Sequence, residues 1–419
     1  MALRLFQRSF LRKALLIISL LVLHCLPAKA YSVLAHEALI DAVWDHYFVP
    51  ALKSRYPGVN DSVLKVAHAY AYGGAVASDM GYYPFGSKLF TNLVHYVRSA
   101  DYVTALINEA QSPTEYAFAL GSLCHYFADV YGHSLGVNLA VPVQYPKDES
   151  KFGKKVTYED DETAHKRIEF AFDVSQTAKG NFASSTYHDF IGFKVADSLM
   201  DRAFYKTYEL HLTDIFGNFS RAVNTFRWTV KNFFPLLTKA AWSSKRAAIQ
   251  KGDPTMTAKK FRYKMNRANY NKEFGRDRDK PGIGAFLLGA LIKILPKIGP
   301  LAPLKFKPPS PEVEKLYIRS FDSVQLHYSN ALRVLMTHTP SLVNKNLDTG
   351  ADTRPGEYWL ADQTYSDLLL KLTGSKSHWE NVALKQNIVH FFSNGVAIEK
   401  DDDQMRSEIL TALDTLKDQ

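Results

Sequence analysis

From Ala35 to Leu237 the chain is written almost entirely in helical periodicity, and this narrows its fold more than any other feature. Six segments, Ala35–Leu52, Ser62–Ala77, Leu89–Ala110, Thr114–Val137, Asp160–Val174 and Asp189–Phe216, place apolar residues at three- and four-residue spacing. Turn signals separate them: Tyr-Pro-Gly-Val-Asn at 56–60, Tyr-Pro-Phe-Gly at 83–86, and a loop from Pro142 to Gly153. Alternation of the β type is scarce and no internal repeat is present. The pattern predicts an all-α, multi-helix domain over 31–238.

The first thirty residues stand outside that pattern. Arg4, Arg8, Arg12 and Lys13 precede an apolar run from Ala14 to Leu26, and Ala28-Lys29-Ala30 follows as a cleavage site. This is the build of a signal peptide, so the chain is expected to be exported: periplasmic, secreted or peripheral to a membrane. Its mature form would begin at Tyr31. The segment carries five basic residues and no acidic one, so its removal lowers the net charge from +9 to +4. Cys124 is then the one cysteine left, which excludes an internal disulfide and leaves the core, with any bound metal, to hold the fold.

The remaining charge is uneven. Between Lys239 and Lys280 thirteen Lys and Arg face Asp253, Glu273, Asp277 and Asp279, a local +9 that leaves −5 on the rest of the mature chain. A localised basic stretch on a weakly acidic body suits contact with an anionic surface, membrane or nucleic acid. Gly282–Leu304 follows as an apolar run interrupted by Lys293 and Lys297 and broken by Pro296, Pro300 and Pro303. It fits an interfacial lipid-contacting element or a buried core segment with a proline-rich exit, but not a spanning helix. The span 239–310 therefore separates the first domain from a helical C-terminal region, 311–419, in which Asp401-Asp402-Asp403 marks a helix start.

The chemistry concentrates in Leu123-Cys124-His125-Tyr126-Phe127-Ala128-Asp129-Val130-Tyr131-Gly132-His133-Ser134-Leu135-Gly136. His125, Asp129 and His133 are spaced i, i+4, i+8, so a helix presents all three on one face. Two imidazoles and a carboxylate are zinc-ligand types, and the carboxylate can also bridge two ions. Cys124 points about 100° away from His125 on that helix and is expected in the core. A second pair, His165 and Glu169, repeats the helical register, and His36, Asp79 and His95 precede them. Each of these alone reads equally well as a surface pair, a cap or a hydrogen-bonded polar residue; His46, His68, His188 and His211 have that ordinary reading too.

Taken in order, the free N-terminus, His36, Asp79, His95, His125-x3-Asp129, His133 and His165-x3-Glu169 resemble the zinc-dependent phospholipase C family, over roughly Tyr31 to Phe216. Relatives in that family include single-strand nucleases. The string His125-Tyr-Phe-Ala-Asp129-Val-Tyr-Gly-His133-Ser-Leu-Gly looks closest to the branch with glycosylphosphatidylinositol-specific phospholipase D. The resemblance implies three zinc ions. Asp79, His95, His125 and Asp129 would hold one; the amine and carbonyl of Tyr31, with His36 and a bridging Asp129, a second; and His133, His165 and Glu169 the third. It also implies a catalytic role for Asp79, which orients or deprotonates a metal-activated water, and for the bridging Asp129. Two departures stand out: Tyr31 replaces the tryptophan that opens the bacterial phospholipases and the nucleases, and Asp129 and His133 are only four residues apart, as in the phospholipase D branch.

The function expected from this set is zinc-dependent hydrolysis of phosphodiesters, first of all in phospholipids at a membrane surface. Zinc lowers the pKa of bound water and polarises phosphoryl oxygens, which suits that bond. Two alternatives keep the same residues: a nuclease or small-molecule phosphodiesterase guided by the basic stretch, and a non-catalytic zinc-stabilised binding protein.

Overall fold

The computed structural model describes residues 33–179, 182, 192–233, 246–247, 250, 305–375, 380–393, 395 and 403–418. Tyr31, the signal segment, nearly all of Lys239–Lys280, the run Gly282–Leu304 and Asp401-Asp402 lie outside them. Among the described residues every regular element is a helix, as the periodicity predicts. None of them is long and apolar enough to cross a membrane.

In chain order the elements are α1 (Val33–Val43), a π-turn (Trp44–Phe48), α2 (Val49–Arg55), α3 (Asp61–Ala77), a 3₁₀ turn (Ser78–Tyr82), α4 (Lys88–Tyr96), α5 (Ser99–Glu109) and α6 (Pro113–Gly132). A second π-turn (His133–Val137), α7 (Asn138–Gln144), α8 (Pro146–Phe152) and α9 (Glu162–Lys179) follow. Then come α10 (Asp197–Tyr208), α11 (Leu212–Ile215), α12 (Phe219–Trp228) and a π-turn (Thr229–Phe233). The C-terminal region adds α13 (Pro311–Leu335), α14 (Trp359–Ser375), α15 (Val382–Phe392) and α16 (Asp403–Asp418).

Local chemistry sets the ends of these helices. Side-chain oxygens of Asn60, Ser87, Ser112, Asn218, Ser310 and Asn381 each accept from a backbone N–H three residues on, and Pro113 and Pro311 occupy first-turn positions. The single helix expected over Leu89–Ala110 is broken in two. Arg98 adopts φ 55°, a left-handed conformation that stops α4, while its guanidinium donates to Asp101 and to the carbonyl of Thr207. The loop expected from Pro142 to Gly153 is mostly helical: Pro142 lies inside α7, and Pro146 starts α8.

The centre of the fold is the crossing of α3 and α6, where the two backbones touch. A Cβ at Gly74 would lie 1.9 Å from the Phe118 carbonyl oxygen, and one at Gly121 would lie 2.1 Å from that of Ala71. Only glycine fits either position. Ala67, Ala71, Ala75 and Ala117 keep the same seam narrow and buried. α1 and α5 also pack against α6 with their buried faces. On another side α13 lies along α6, its buried Tyr328 hydroxyl donating to the Leu120 carbonyl at 2.9 Å. α14 packs on α4 and on α16. Cys124 is fully buried in this core and unbridged.

Candidate metal centre

The tight α3–α6 crossing brings the ligand-bearing face of α6 beside the turn that ends α3. His125 and Asp129 share a face of α6, and His133 opens the π-turn that follows it. Asp79 sits on the 3₁₀ turn that ends α3, His95 in the last turn of α4, His36 on α1, and His165 and Glu169 one turn apart on α9. None of these eight is more than 2% exposed. Burying so many ionisable groups together costs free energy unless something compensates their charge and lone pairs.

Asp129 stands between two groups. Its Oδ1 lies 3.4 Å from His36 Nε2, and its Oδ2 lies 3.3 Å from both His95 Nε2 and His125 Nε2. Asp79 Oδ1 is 3.4 Å from the same His95 nitrogen. The rings of His36 and His125 stack at 4.9 Å between centroids, and His95 meets His125 edge-on at 5.1 Å. Close-set ligand atoms form one cluster from His36, His125 and Asp129, and another from Asp79, His95 and His125.

Hydrogen bonds at the far sides of the rings reveal what these atoms need. His95 Nδ1 lies 2.7 Å from the Thr91 carbonyl, and His125 Nδ1 lies 2.9 Å from the Ala75 carbonyl. A carbonyl only accepts, so both Nδ1 atoms carry hydrogen. In the neutral rings both Nε2 atoms then present lone pairs, yet they face one another at 3.2 Å. Neither oxygen of Asp129, nor Oδ1 of Asp79, has a hydrogen-bond donor. An array of acceptors aimed at one point fits a cation, and the donor types are those of zinc.

A proton competes for that part. Burial disfavours the charged form of His95, but Asp129 and Asp79 outweigh it and hold the pKa up at about 9. Burial likewise opposes ionisation of Asp129, but the imidazoles, His125 foremost, keep its carboxyl well below the usual carboxylate range.

The third cluster lies one turn along. His165 Nδ1 is 3.0 Å and His133 Nε2 3.7 Å from Glu169 Oε1, with the two rings edge-on at 5.0 Å. The three residues offer converging ligand atoms. Burial, reinforced by the charges of Asp79 and Asp129, pushes the Glu169 pKa well up.

The structure thus brings together all eight of the candidates it describes; Tyr31, the ninth, lies outside the described residues, as does His188. The other histidines have ordinary places. His46 is exposed, His68 is hydrogen-bonded to Asp41 and stacked on Trp44, and His211 pairs with Asp201 at the surface. Three residues escaped sequence reasoning. Asp173 receives the backbone N–H groups of Leu34 and Ala35, both at 3.1 Å, and so fixes the start of α1 that carries His36. Asn138 Oδ1 lies 2.9 Å from His165 Nε2. Asp348 Oδ1 lies 3.2 Å from His133 Nδ1 and 3.5 Å from His165 Nε2. Burial opposes its ionisation, but His133 and His165 press its pKa below the carboxylate range. Nothing local marks these residues, and Asp348 stands 210 positions beyond Asn138, whose amide its carbonyl receives.

Residues 35–218 match the family model of zinc dependent phospholipase C, a span that contains all eight of these residues. No curated protein and no solved structure matches the chain. The family is zinc-dependent, and the three buried clusters of histidine, aspartate and glutamate are candidate zinc sites on that footing.

Proposed function

We propose that the 31–238 region hydrolyses phosphodiester bonds of phospholipids, in the manner of a phospholipase of the C or D type. The observation that carries this reading is the buried acceptor array around Asp129, in which two imidazole lone pairs and two carboxylates converge without a donor. When bound at such a site, zinc lowers the pKa of water and polarises a phosphoryl oxygen. Asp79, His95, His125 and Asp129 would hold one ion, and His36 and Asp129 a second that the amine and carbonyl of a processed Tyr31 would complete. His133, His165 and Glu169 would hold the third. Asp79, on the turn after α3, would orient a metal-activated water and accept its proton, and Asp129 stands between the two neighbouring sites.

Phospholipid is favoured over nucleic acid by the family match and by the Lys-bearing apolar run 282–304 beside a basic stretch. Within the family, the string from His125 to Gly136 favours the branch with glycosylphosphatidylinositol-specific phospholipase D. Export with cleavage after Ala30 completes the reading, because only cleavage frees the Tyr31 amine.

The test is mature protein, loaded with zinc, incubated in parallel with mixed phospholipid vesicles and single-stranded DNA, the products being identified by mass spectrometry. Release of diacylglycerol or phosphatidate is expected, and the product identifies the P–O bond cut. Cleavage of DNA alone, dependent on Lys259–Lys264, establishes a nuclease instead. If no phosphodiester is cut while chelation lowers the melting temperature, the protein is a zinc-stabilised binding module.

A further inference from the structure

The stretch 343–358, which joins α13 to α14, is laid across the metal-bearing helices and bonded to them along its length. The Val343 carbonyl receives the Tyr126 hydroxyl of α6. Asn344 Oδ1 receives the first N–H groups of α5, at Ala100 and Asp101. Leu347 donates its N–H to the carbonyl of His95, and Thr353 its hydroxyl to that of Tyr96. Asp348 lies in the middle of this strap, 2% exposed.

The two oxygens of Asp348 have different tasks. Oδ2 receives the Tyr158 N–H at 3.1 Å and the Tyr358 hydroxyl at 2.9 Å, which locks the carboxylate in direction. Oδ1 is thereby turned toward His133 Nδ1 and His165 Nε2, at 3.2 and 3.5 Å. These are the ring nitrogens facing away from the Glu169 carboxylate, so the oxygen touches the back of each ring.

Tautomers follow from these contacts. Asn138 donates its amide to the Asp348 carbonyl at 2.7 Å, so its oxygen is the atom turned to His165 Nε2, which must carry hydrogen. His165 Nδ1 is then a lone pair facing the cluster. A carboxylate beside His133 Nδ1 demands hydrogen there as well, which opens Nε2 on the Glu169 side. Carboxylate or carbonyl support behind a metal-binding histidine fixes both ring orientation and tautomer in this way.

We propose that Asp348 is a positioning residue of the third metal cluster, holding His133 with Nε2 open to the ion, so that the C-terminal region supplies an integral part of the site. The inference rests on the zinc reading of His133, His165 and Glu169.

The experiment compares full mature protein with the variants Asp348→Asn and Tyr358→Phe. Zinc is counted by elemental analysis, and affinity is measured by competition with a calibrated chelator. Side-chain nitrogen NMR reports the His133 tautomer in each. Asparagine keeps an acceptor for Tyr158 and Tyr358 but turns its amide to His133, which must then accept at Nδ1 and close Nε2. Tyr358→Phe removes one hydrogen bond from the same carboxylate and leaves Oδ1 in place, so it controls for loss of structure. Asp348→Asn is expected to weaken the third zinc about 10–100-fold, with the first two unchanged and the His133 Nδ1–H signal lost. Tyr358→Phe should retain all three ions.

Unchanged third-site affinity in Asp348→Asn overturns the proposal, as does equal loss in both variants, which would make the residue part of the fold alone. An Asp348→Asn protein that does not fold while Tyr358→Phe does has the same consequence. Failure of the wild type to take up a third zinc defeats the zinc reading of the cluster itself, and is distinguished from the other outcomes by the wild-type count.

Discussion

Zinc and a proton compete for the same place beside Asp129, and the competition has a calculable size. In the metal-free protein His95 has a pKa of about 9, because Asp129 and Asp79 outweigh its burial. At pH 7 it lies about two units below that value, so roughly 1% of molecules offer a free Nε2 lone pair. Apparent affinity for the first zinc should rise about tenfold per pH unit between pH 6.5 and 9, roughly 100-fold from pH 7 upward, and level off above. Asp129, held well below the carboxylate range, stays ionised throughout and contributes no slope.

Stability of the metal-free protein should move the opposite way. The folded pKa of His95 exceeds the ordinary 6.5, so its contribution is complete below pH 6.5 and lost as pH rises through 9. A displacement from 6.5 to about 9 corresponds to about 3 kcal/mol. Competition titrations with a calibrated chelator, at pH 6.5, 7.5, 8.5 and 9.5, measure the first effect; thermal melts of chelator-stripped protein measure the second. Calorimetry in two buffers of different ionisation enthalpy should find about one proton released by His95 per first zinc at pH 7. Zinc affinity that is flat across this range, after correction for the chelator, refutes the assignment of His95 to a shared proton-or-metal position.

Other perturbations probe the frame around the site. Gly74→Ala or Gly121→Ala should force α3 and α6 apart, costing about 1–3 kcal/mol or more and lowering the melting temperature by roughly 2–4 °C per kcal/mol. Zinc content should fall with it, since the same crossing aligns Ala75 with His125. Tyr328→Phe removes one buried hydrogen bond that touches no ligand; a loss of about 1 kcal/mol in denaturant melts is expected, with zinc content unchanged. Mature protein ended at residue 310 should be recovered insoluble or with fewer than three zinc ions, because it exposes the α6 surface under α13 and lacks Asp348.

What was legible in the sequence follows the range of the interactions. His125 and Asp129, like His165 and Glu169, are joined by helical register, and local periodicity is enough to pair them. The break at Arg98 was hidden because it depends on a carbonyl in α10 more than a hundred residues away. In sequence the stretch from Pro142 to Gly153 reads as a loop because proline signals a turn, although Pro146 is at home in a first helical turn and Pro142 is accommodated inside the short α7. Where His133 was expected on a straight continuation of α6, it opens a π-turn, whose extra residue per turn leaves no mark in the apolar spacing. Asp348 illustrates the limit most clearly: an aspartate in Asn-Leu-Asp-Thr-Gly looks like turn chemistry, and only the strap over α4 to α6 makes it a partner of two histidines.

Charge balance ties these elements to the proposed chemistry. With zinc bound, the third cluster sets one dication against two carboxylates, Glu169 as ligand and Asp348 behind the rings, and is neutral as a whole. Among its ligands the neighbouring pair would set two dications against two carboxylates, Asp79 and Asp129, an excess of two positive charges in a buried setting where such charge is poorly screened. A phosphodiester carries a negative charge, so the pair around Asp129 would meet the substrate phosphate with an excess of positive charge that the third site lacks. On this argument Asp348 has a consequence beyond its own cluster. By neutralising the third ion it leaves the excess positive charge of the centre localised where the substrate phosphate would bind.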